Sequence, residues 1–273
     1  MRFPLRLTAD LAIGLATKTL RGANSHRLIL HLAPVARSAA SSEMLAQGLQ
    51  KSAADLQLLS SDSCVDVVRR SSAPVVWIGG GEPLLHPEIG RLARRIVDTS
   101  RHVFVQTDGA LLRRRIHEFR PVSRLILTVQ FEGFGQEHDR RARREGAFRE
   151  AVDGIRAAKL SGFLVCAYIA ADSDADLAEL EQLRHYLEAR DVDGFVVMPA
   201  NSSPQAVSQQ KESEPLRRRL HAARAQVRSR RWRLFSRLLE SSLAAAHSIS
   251  ASHQALRNGG GAADTCEESV EVS

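Results

Sequence analysis

Cysteine is scarce in this chain, and its three copies are too scattered to act together. Cys64, Cys166 and Cys266 lie roughly a hundred residues apart, so neither a disulfide framework nor a metal-ligand spacing is present. A reducing, cytoplasmic setting is the expectation. Lysine is nearly missing: Lys18, Lys51, Lys159 and Lys211 are the four present, so the net charge of +7 and the pI near 10 rest on arginine. Arginine suits phosphate and carboxylate contacts, and equally suits solvated helix faces. No apolar run approaches the roughly 18–20 residues that a transmembrane helix needs. The phosphate-loop pattern GxxxxGK[ST] and the dinucleotide pattern GxGxxG are absent, as are HExxH and GxSxG. These absences exclude the nucleotide-binding, zinc-peptidase and serine-hydrolase classes that those motifs define.

What is present is an ordinary globular composition, 44% hydrophobic and 25% charged over 273 residues. It fits one α/β domain of about 200–250 residues. Six β-favouring apolar runs recur: 27–33, 74–78, 102–106, 124–131, 163–169 and 194–198. They are nearly continuous rather than alternating, as in strands buried on both faces of a parallel sheet. Helical patterns separate several of them. The first, HPEIGRLARRIVDTS, has Pro87 near its start and Ile89, Leu92, Ala93, Ile96 and Val97 on one face. A second carries Phe148, Val152 and Ile155 and ends near Gly162. A third begins with Ser173 and Asp176 in a capping-box-like spacing and places Leu177, Leu180 and Leu187 on one stripe. Alternation of strand and helix predicts a parallel sheet, either open and doubly wound or a partial TIM-like barrel, with the chemistry at the C-terminal strand ends.

The flanks differ in character. Residues 1–25 read as an amphipathic helix with Leu5, Leu7, Leu11, Ile13, Leu15 and Leu20 apolar. It is expected to pack on the protein, weak docking on an anionic membrane being the alternative. Residues 26–200 form the expected barrel, 201–215 a linker, 216–247 a basic helical segment and 248–273 a disordered tail. In the basic segment Trp232, Leu234, Phe235, Leu238 and Leu239 give an apolar side for packing, leaving the arginines in water. The same segment could meet anionic lipid, and nucleic acid is the least favoured partner. His138, in QEHDRR, reads as a solvated loop histidine, and the runs RRRIHEF and DRRARRE as solvated faces.

The most specific stretch is IGGGEPLLHPEIG at 78–90. Its glycines permit left-handed backbone and close approach of a ligand, and Glu82 would suit a ligand with an ammonium group. A tight βα turn with an exposed glutamate accounts for the same residues.

With FVQTDGALL (104–112), LTVQFEGFGQEHDRR (127–141) and VDGFVVMP (192–199), this stretch resembles the radical S-adenosylmethionine (SAM) enzymes. The wording is similar to the hopanoid-biosynthesis branch that attaches a 5′-deoxyadenosyl group to hopene, over roughly residues 5–200. The resemblance implies an α/β fold, a partial (β/α)6 TIM-like barrel with an extra C-terminal helix. It implies that Gly80, Gly81, Glu82 and Pro83 hold the SAM amino group. It implies that Thr107 and Glu132 line the SAM and substrate cavity, Glu132 standing where the family has Asp.

In that family CxxxCxxC after the first strand binds a [4Fe–4S] cluster. Here those positions fall on Ser38, Ser42 and Leu45, and serine hydroxyls and an aliphatic chain do not replace soft thiolates. The expectation is therefore a member without cluster, metal ligands or catalytic residues, acting as a binding or accessory protein near hopanoid or lipid metabolism. SAM is its expected cofactor, with a small molecule or lipid in the barrel. It would be cytoplasmic, peripheral at the inner membrane surface. The alternatives are an active SAM-dependent radical enzyme and a basic scaffold for membrane or nucleic acid.

Overall fold

Parallel strands laid down in sequence order, with crossovers of one hand, put every crossover helix on the same side of the sheet. The other side must then curl on itself or be covered. The computed structural model, which describes residues 3–21, 27–37, 56–172, 175–200 and 214–243, does both. The strands are β1 (Ile29–Arg37), β2 (Leu56–Leu58), β3 (Val75–Gly80), β4 (His102–Thr107), β5 (Leu125–Phe131), β6 (Leu164–Ala171) and β7 (Gly194–Pro199). Among the described residues they form one sheet in the order β2-β1-β3-β4-β5-β6-β7. Only β2 is antiparallel, pairing Leu58 with Val35 at the edge. The six predicted strands are all present.

Side-chain alternation assigns the two faces. Val103, Val105, Leu127, Val129 and Phe131 turn outward to the helices. There, α3 (Ile89–Asp98) buries Ile89, Leu92 and Ile96, and α6 (Ala147–Leu160) buries Ala151, Ile155 and Ala158. Trp77, Phe104, Gln106, Gln130 and Tyr168 face the opposite way. The rings of Trp77 on β3 and Tyr168 on β6 lie 6.1 Å apart although two strands separate them. In a flat sheet those strands would be about 14 Å apart, so the sheet is curled with these residues on its concave side. The architecture is a partial (β/α)6 barrel.

Two flanking segments fill the concave side. A C-terminal pair of helices, α8 (Glu214–Gln226) and α9 (230–243), folds over β7. Trp232 of α9 is fully buried against Gly194, where a Cβ would overlap the indole. Phe235 stacks on Phe104 at 4.8 Å, and Ser242 meets His31 of β1 at 2.8 Å. The free edge of β7 is occupied by side chains. Arg224 Nε donates to the Val197 carbonyl (3.0 Å), Val197 N–H donates to Ser236 Oγ (3.3 Å), and Trp232 Nε1–H donates to the Asp193 carbonyl (3.1 Å). Helix α1 (Leu5–Arg21) crosses the N-terminal strand ends. Its Asp10 accepts from His102 Nε2 (2.8 Å) and Arg124 (3.3 Å), and Phe3 meets the Trp232 ring edge-on at 4.9 Å.

Several expectations are corrected. The predicted basic helical segment is two helices, broken at 227–229, and Leu234 is exposed while Trp232, Phe235 and Leu239 are buried. On α1, Leu7 and Leu11 pack inward, but Leu5, Ile13 and Leu15 do not. The helix α7 (Leu177–Glu188) is capped by Asp176 itself, whose Oδ1 accepts from Ala178 N at 2.9 Å. Arginines read as solvated also hold structure. Arg115 donates to the carbonyls of Leu84, His86 and Pro87, and Arg141 bridges Glu137 and Asp172. Ser38, Ser42, Leu45, Ser173, residues 201–213, the tail from 244 and Cys266 lie outside the described residues.

Truncating Trp232 to Ala is expected to lower stability by about 3–5 kcal/mol, the range for a large buried aromatic. Gly194→Ala is expected to destabilise by overpacking, about 1–3 kcal/mol. Urea unfolding followed by circular dichroism checks both.

Candidate ligand site at the barrel mouth

The loop after β3 owes its shape to the neighbouring strand. Gly80 has φ +89°, and a Cβ there would lie 2.7 Å from the Ala33 Cβ; at Gly81 it would lie 3.0 Å from the Val35 carbonyl. Gly81 N–H donates to that carbonyl at 3.2 Å. The close approach that these glycines permit is thus to β1. Gly79 differs, since its missing side chain would point to the concave side, 3.1 Å from Gln106 Oε1.

Glu82 and Pro83 open a single 3-10 turn, Pro83–Leu85. The Glu82 carboxylate accepts from Leu84 N–H and from Asp108 N–H, each at 2.9 Å, and from the Thr107 hydroxyl. It therefore ties the loop after β3 to the loop after β4. Burial, and then the Asp108 charge, push its pKa up to about 7 against the pull of those hydrogen bonds. Arg115, on the short helix α4 (Leu112–Arg115), holds the far side of the same loop through its carbonyls. His86, also buried, accepts from Glu88 N–H at Nδ1, which leaves Nε2–H to donate to the Leu59 carbonyl at 2.9 Å.

Thr107 and Glu132 were expected to line a cavity. Thr107 lies on the outward side of β4 with Val103 and Val105, is buried, and accepts from Gly109 N–H at 3.0 Å. Its neighbour Gln106 faces inward instead. There a ladder crosses three strands. Trp77 Nε1–H donates to Gln106 Oε1 (2.8 Å), Gln106 Nε2 donates to Gln130 Oε1 (2.5 Å), and Gln130 Nε2 donates to Glu132. Burial raises the Glu132 pKa, partly offset by the Gln130 bond and the nearby Arg141 charge. The Glu132 N–H donates to His138 Nδ1 at 3.0 Å.

His138 is not the solvated residue expected. It sits on α5 (Gln136–Ala142), is 3% exposed, and packs beside Phe131 and Phe148. Burial depresses its pKa, so the neutral ring with its proton on Nε2 is favoured. Sequence reasoning also missed Gln106 and Gln130. The available signal was a glutamine as the next-to-last residue of two successive apolar strands, VFVQT and LTVQF, because a buried amide needs a partner.

The mouth thus offers two carboxylates, Glu82 and Glu132, on either side of a row of amides over an aromatic floor. Each bridging amide retains a second N–H. Such a lining can take a cationic ammonium and a polar, planar group. The cysteines do not contribute. Cys64 is buried on α2 (Ser61–Arg70) in the outer helical layer, and Cys166 is buried on the concave side of β6. They lie on opposite faces of the sheet, and burial pushes both thiols up. Among the described residues no group of three or more His, Cys, Asp or Glu side chains could hold a metal ion.

Comparison with known proteins agrees with this fold. A family model described as the Radical SAM superfamily matches residues 49–187. The chain is 32% identical over 101 residues to the AdoMet-dependent heme synthase of Methanosarcina barkeri (strain Fusaro / DSM 804), covering 36% of this chain and 29% of that protein. The structure of Streptococcus suis SuiB bound to precursor peptide SuiA is similar with a TM-score of 0.54 at 12% identity, covering 81% of this chain and 50% of that one. SuiB bound to S-adenosylmethionine gives 0.51 at 13%, covering 81% and 49%. At these identities the SuiB likeness concerns the fold. The chain spans about half the length of SuiB and under a third of the heme synthase.

Between the ordinary Glu value of 4.5 and about 7, the folded chain carries more of the Glu82 proton than the unfolded chain does. Stability is therefore greatest below that window and declines as pH rises through it, by up to about 3 kcal/mol. Glu82→Gln, which cannot ionise, is expected to flatten the fall in melting temperature between pH 5 and 7.5, measured by differential scanning fluorimetry.

Proposed function

We propose that this chain, which belongs to the radical SAM superfamily, is a binding or accessory protein that keeps the ligand-holding mouth of the barrel without a [4Fe–4S] cluster. One observation carries the reading: the donor set does not fit that cluster. Three thiolates must converge on it, whereas Cys64 and Cys166 are buried, with burial raising both thiol pKa values, and lie on opposite faces of the sheet. The third, Cys266, lies near the C-terminus, and on the sequence resemblance the family's motif positions would fall on Ser38, Ser42 and Leu45.

The residues at the mouth do fit S-adenosylmethionine. Its sulfonium and ammonium charges suit Glu82 and Glu132, and its adenine and ribose suit the spare amide hydrogens of Gln106 and Gln130. Glu82 is already held by two backbone N–H groups and would accept the ammonium without reorganising. Deprotonation of Glu82 near pH 7 would strengthen this contact. In this reading the protein binds and presents a ligand, in a cytoplasmic setting and in service of hopanoid or related lipid metabolism, as the sequence resemblance suggests.

A second reading, an active enzyme acting on a tetrapyrrole, is favoured by the 32% identity with the heme synthase. Anaerobic reconstitution with iron and sulfide, followed by metal analysis and EPR, separates the two. The proposal expects no [4Fe–4S] signal, together with calorimetric SAM binding that weakens about tenfold in Glu82→Gln. About four irons per chain with a [4Fe–4S] spectrum would overturn it.

A further inference from the structure

The C-terminal helix pair encloses a cleft of about 820 Å³ between α8 and α9. On α8, Arg217, His221 and Arg224 fall at i, i+4 and i+7 and so share one face. On α9, Arg237, Glu240 and Ser241 fall at i, i+3 and i+4 and share another. All six line the cleft, and Glu214 and Arg218 join them from the start of α8.

The acids of the cleft are already taken. Glu214 accepts from Arg218 Nε at 3.1 Å, and Glu240 pairs with Arg224 Nη1 at 2.7 Å. Among the described residues Arg217 and Arg237 make no ion pair, and both are exposed. Two guanidinium charges are therefore left over in one cleft. Arg224 is a second, independent sign of a missing anion. It is 8% exposed, with Nε held by the Val197 carbonyl and Nη1 by Glu240. Its buried Nη2 has no hydrogen-bond partner. Buried donors are ordinarily paired, and an oxyanion in the cleft would supply the acceptor.

We infer that the cleft between α8 and α9 binds the phosphate group of a phosphorylated molecule. The site is separate from the barrel mouth and does not rest on the reading of that mouth. Charge selects the group. A phosphate monoester carries about two negative charges and three terminal oxygens. That matches Arg217, Arg237 and the spare N–H of Arg224. A carboxylate, with one charge and two oxygens, would leave an arginine unmatched. Guanidinium forks suit phosphate oxygens, and His221 has a ring N–H to donate. The cleft is larger than a bare phosphate and within the range of small-ligand sites, so it has room for the group that carries the phosphate. Because Arg224 also holds the β7 edge through Val197, a bound phosphate would brace the helix pair against the sheet.

Titration calorimetry of the full chain with glycerol 3-phosphate, at about pH 8 where the ester is a dianion, tests a soluble source. Flotation with phosphatidic acid vesicles tests a lipid source. The expectation is binding in at least one arm that weakens about tenfold or more in Arg217→Glu/Arg237→Glu, with unchanged circular dichroism. The arm that responds identifies the phosphate as soluble or lipid-borne. No binding in either arm would overturn the inference, as would undiminished binding by the double variant. Equal weakening by Arg70→Glu/Arg94→Glu, exposed arginines on α2 and α3, would reduce the effect to net charge and also overturn it. Acetate binding as tightly as glycerol 3-phosphate would remove the phosphate assignment. Binding only after deletion of residues 248–273, which include Glu267, Glu268 and Glu271, would make that segment the occupant, and the inference would fail.

Discussion

A sequentially wound parallel sheet leaves one face without helices, and covering that face is the constraint on which this molecule depends. The concave side of six strands carries Trp77, Phe104 and Tyr168, and water cannot be left against them. Curling brings Trp77 and Tyr168 within 6.1 Å. The remaining gap takes an indole and a phenyl ring from α9, and Gly194 exists in β7 because the indole occupies the space of its side chain. The C-terminal helix is therefore part of the barrel's interior.

That filling also sets the depth of the mouth. Aromatic rings occupy the middle level, with Phe235 stacked on Phe104 and Phe104 on Trp77 at 5.3 Å. The next level toward the strand ends is the amide ladder, which begins at the Trp77 indole N–H. One residue thus belongs to both levels, its ring to the floor and its nitrogen to the polar row. The floor of the mouth thus has a fixed hydrogen-bond direction, from Trp77 through to Glu132.

Much of this was legible in the sequence because burial on both faces leaves a plain trace. The six strands were readable as near-continuous apolar runs, and α3 and α6 as 3.6-residue stripes. The β2 strand was not, being three residues long and set by pairing with β1. His138 was misread because its neighbours are charged, yet the Phe131 and Phe148 that bury it come from other elements. The break at 227–229 carries no proline or glycine, and Ser229 just before α9 is its one local signal. In the mouth, Glu82 was legible through its glycines, although these serve the approach to β1. The partnership of Gln106 with Gln130 depends on strand register, which a single sequence does not display.

The way β7 ends the sheet has a consequence for solubility. An edge strand normally offers a row of unpaired backbone groups, and these can template pairing with another molecule. On β7 those groups at Asp193 and Val197 are already bonded to Trp232, Arg224 and Ser236. At the opposite edge the strand on offer is the three-residue β2. The aromatic helix that completes the interior therefore also blunts the β7 edge of the sheet against such pairing.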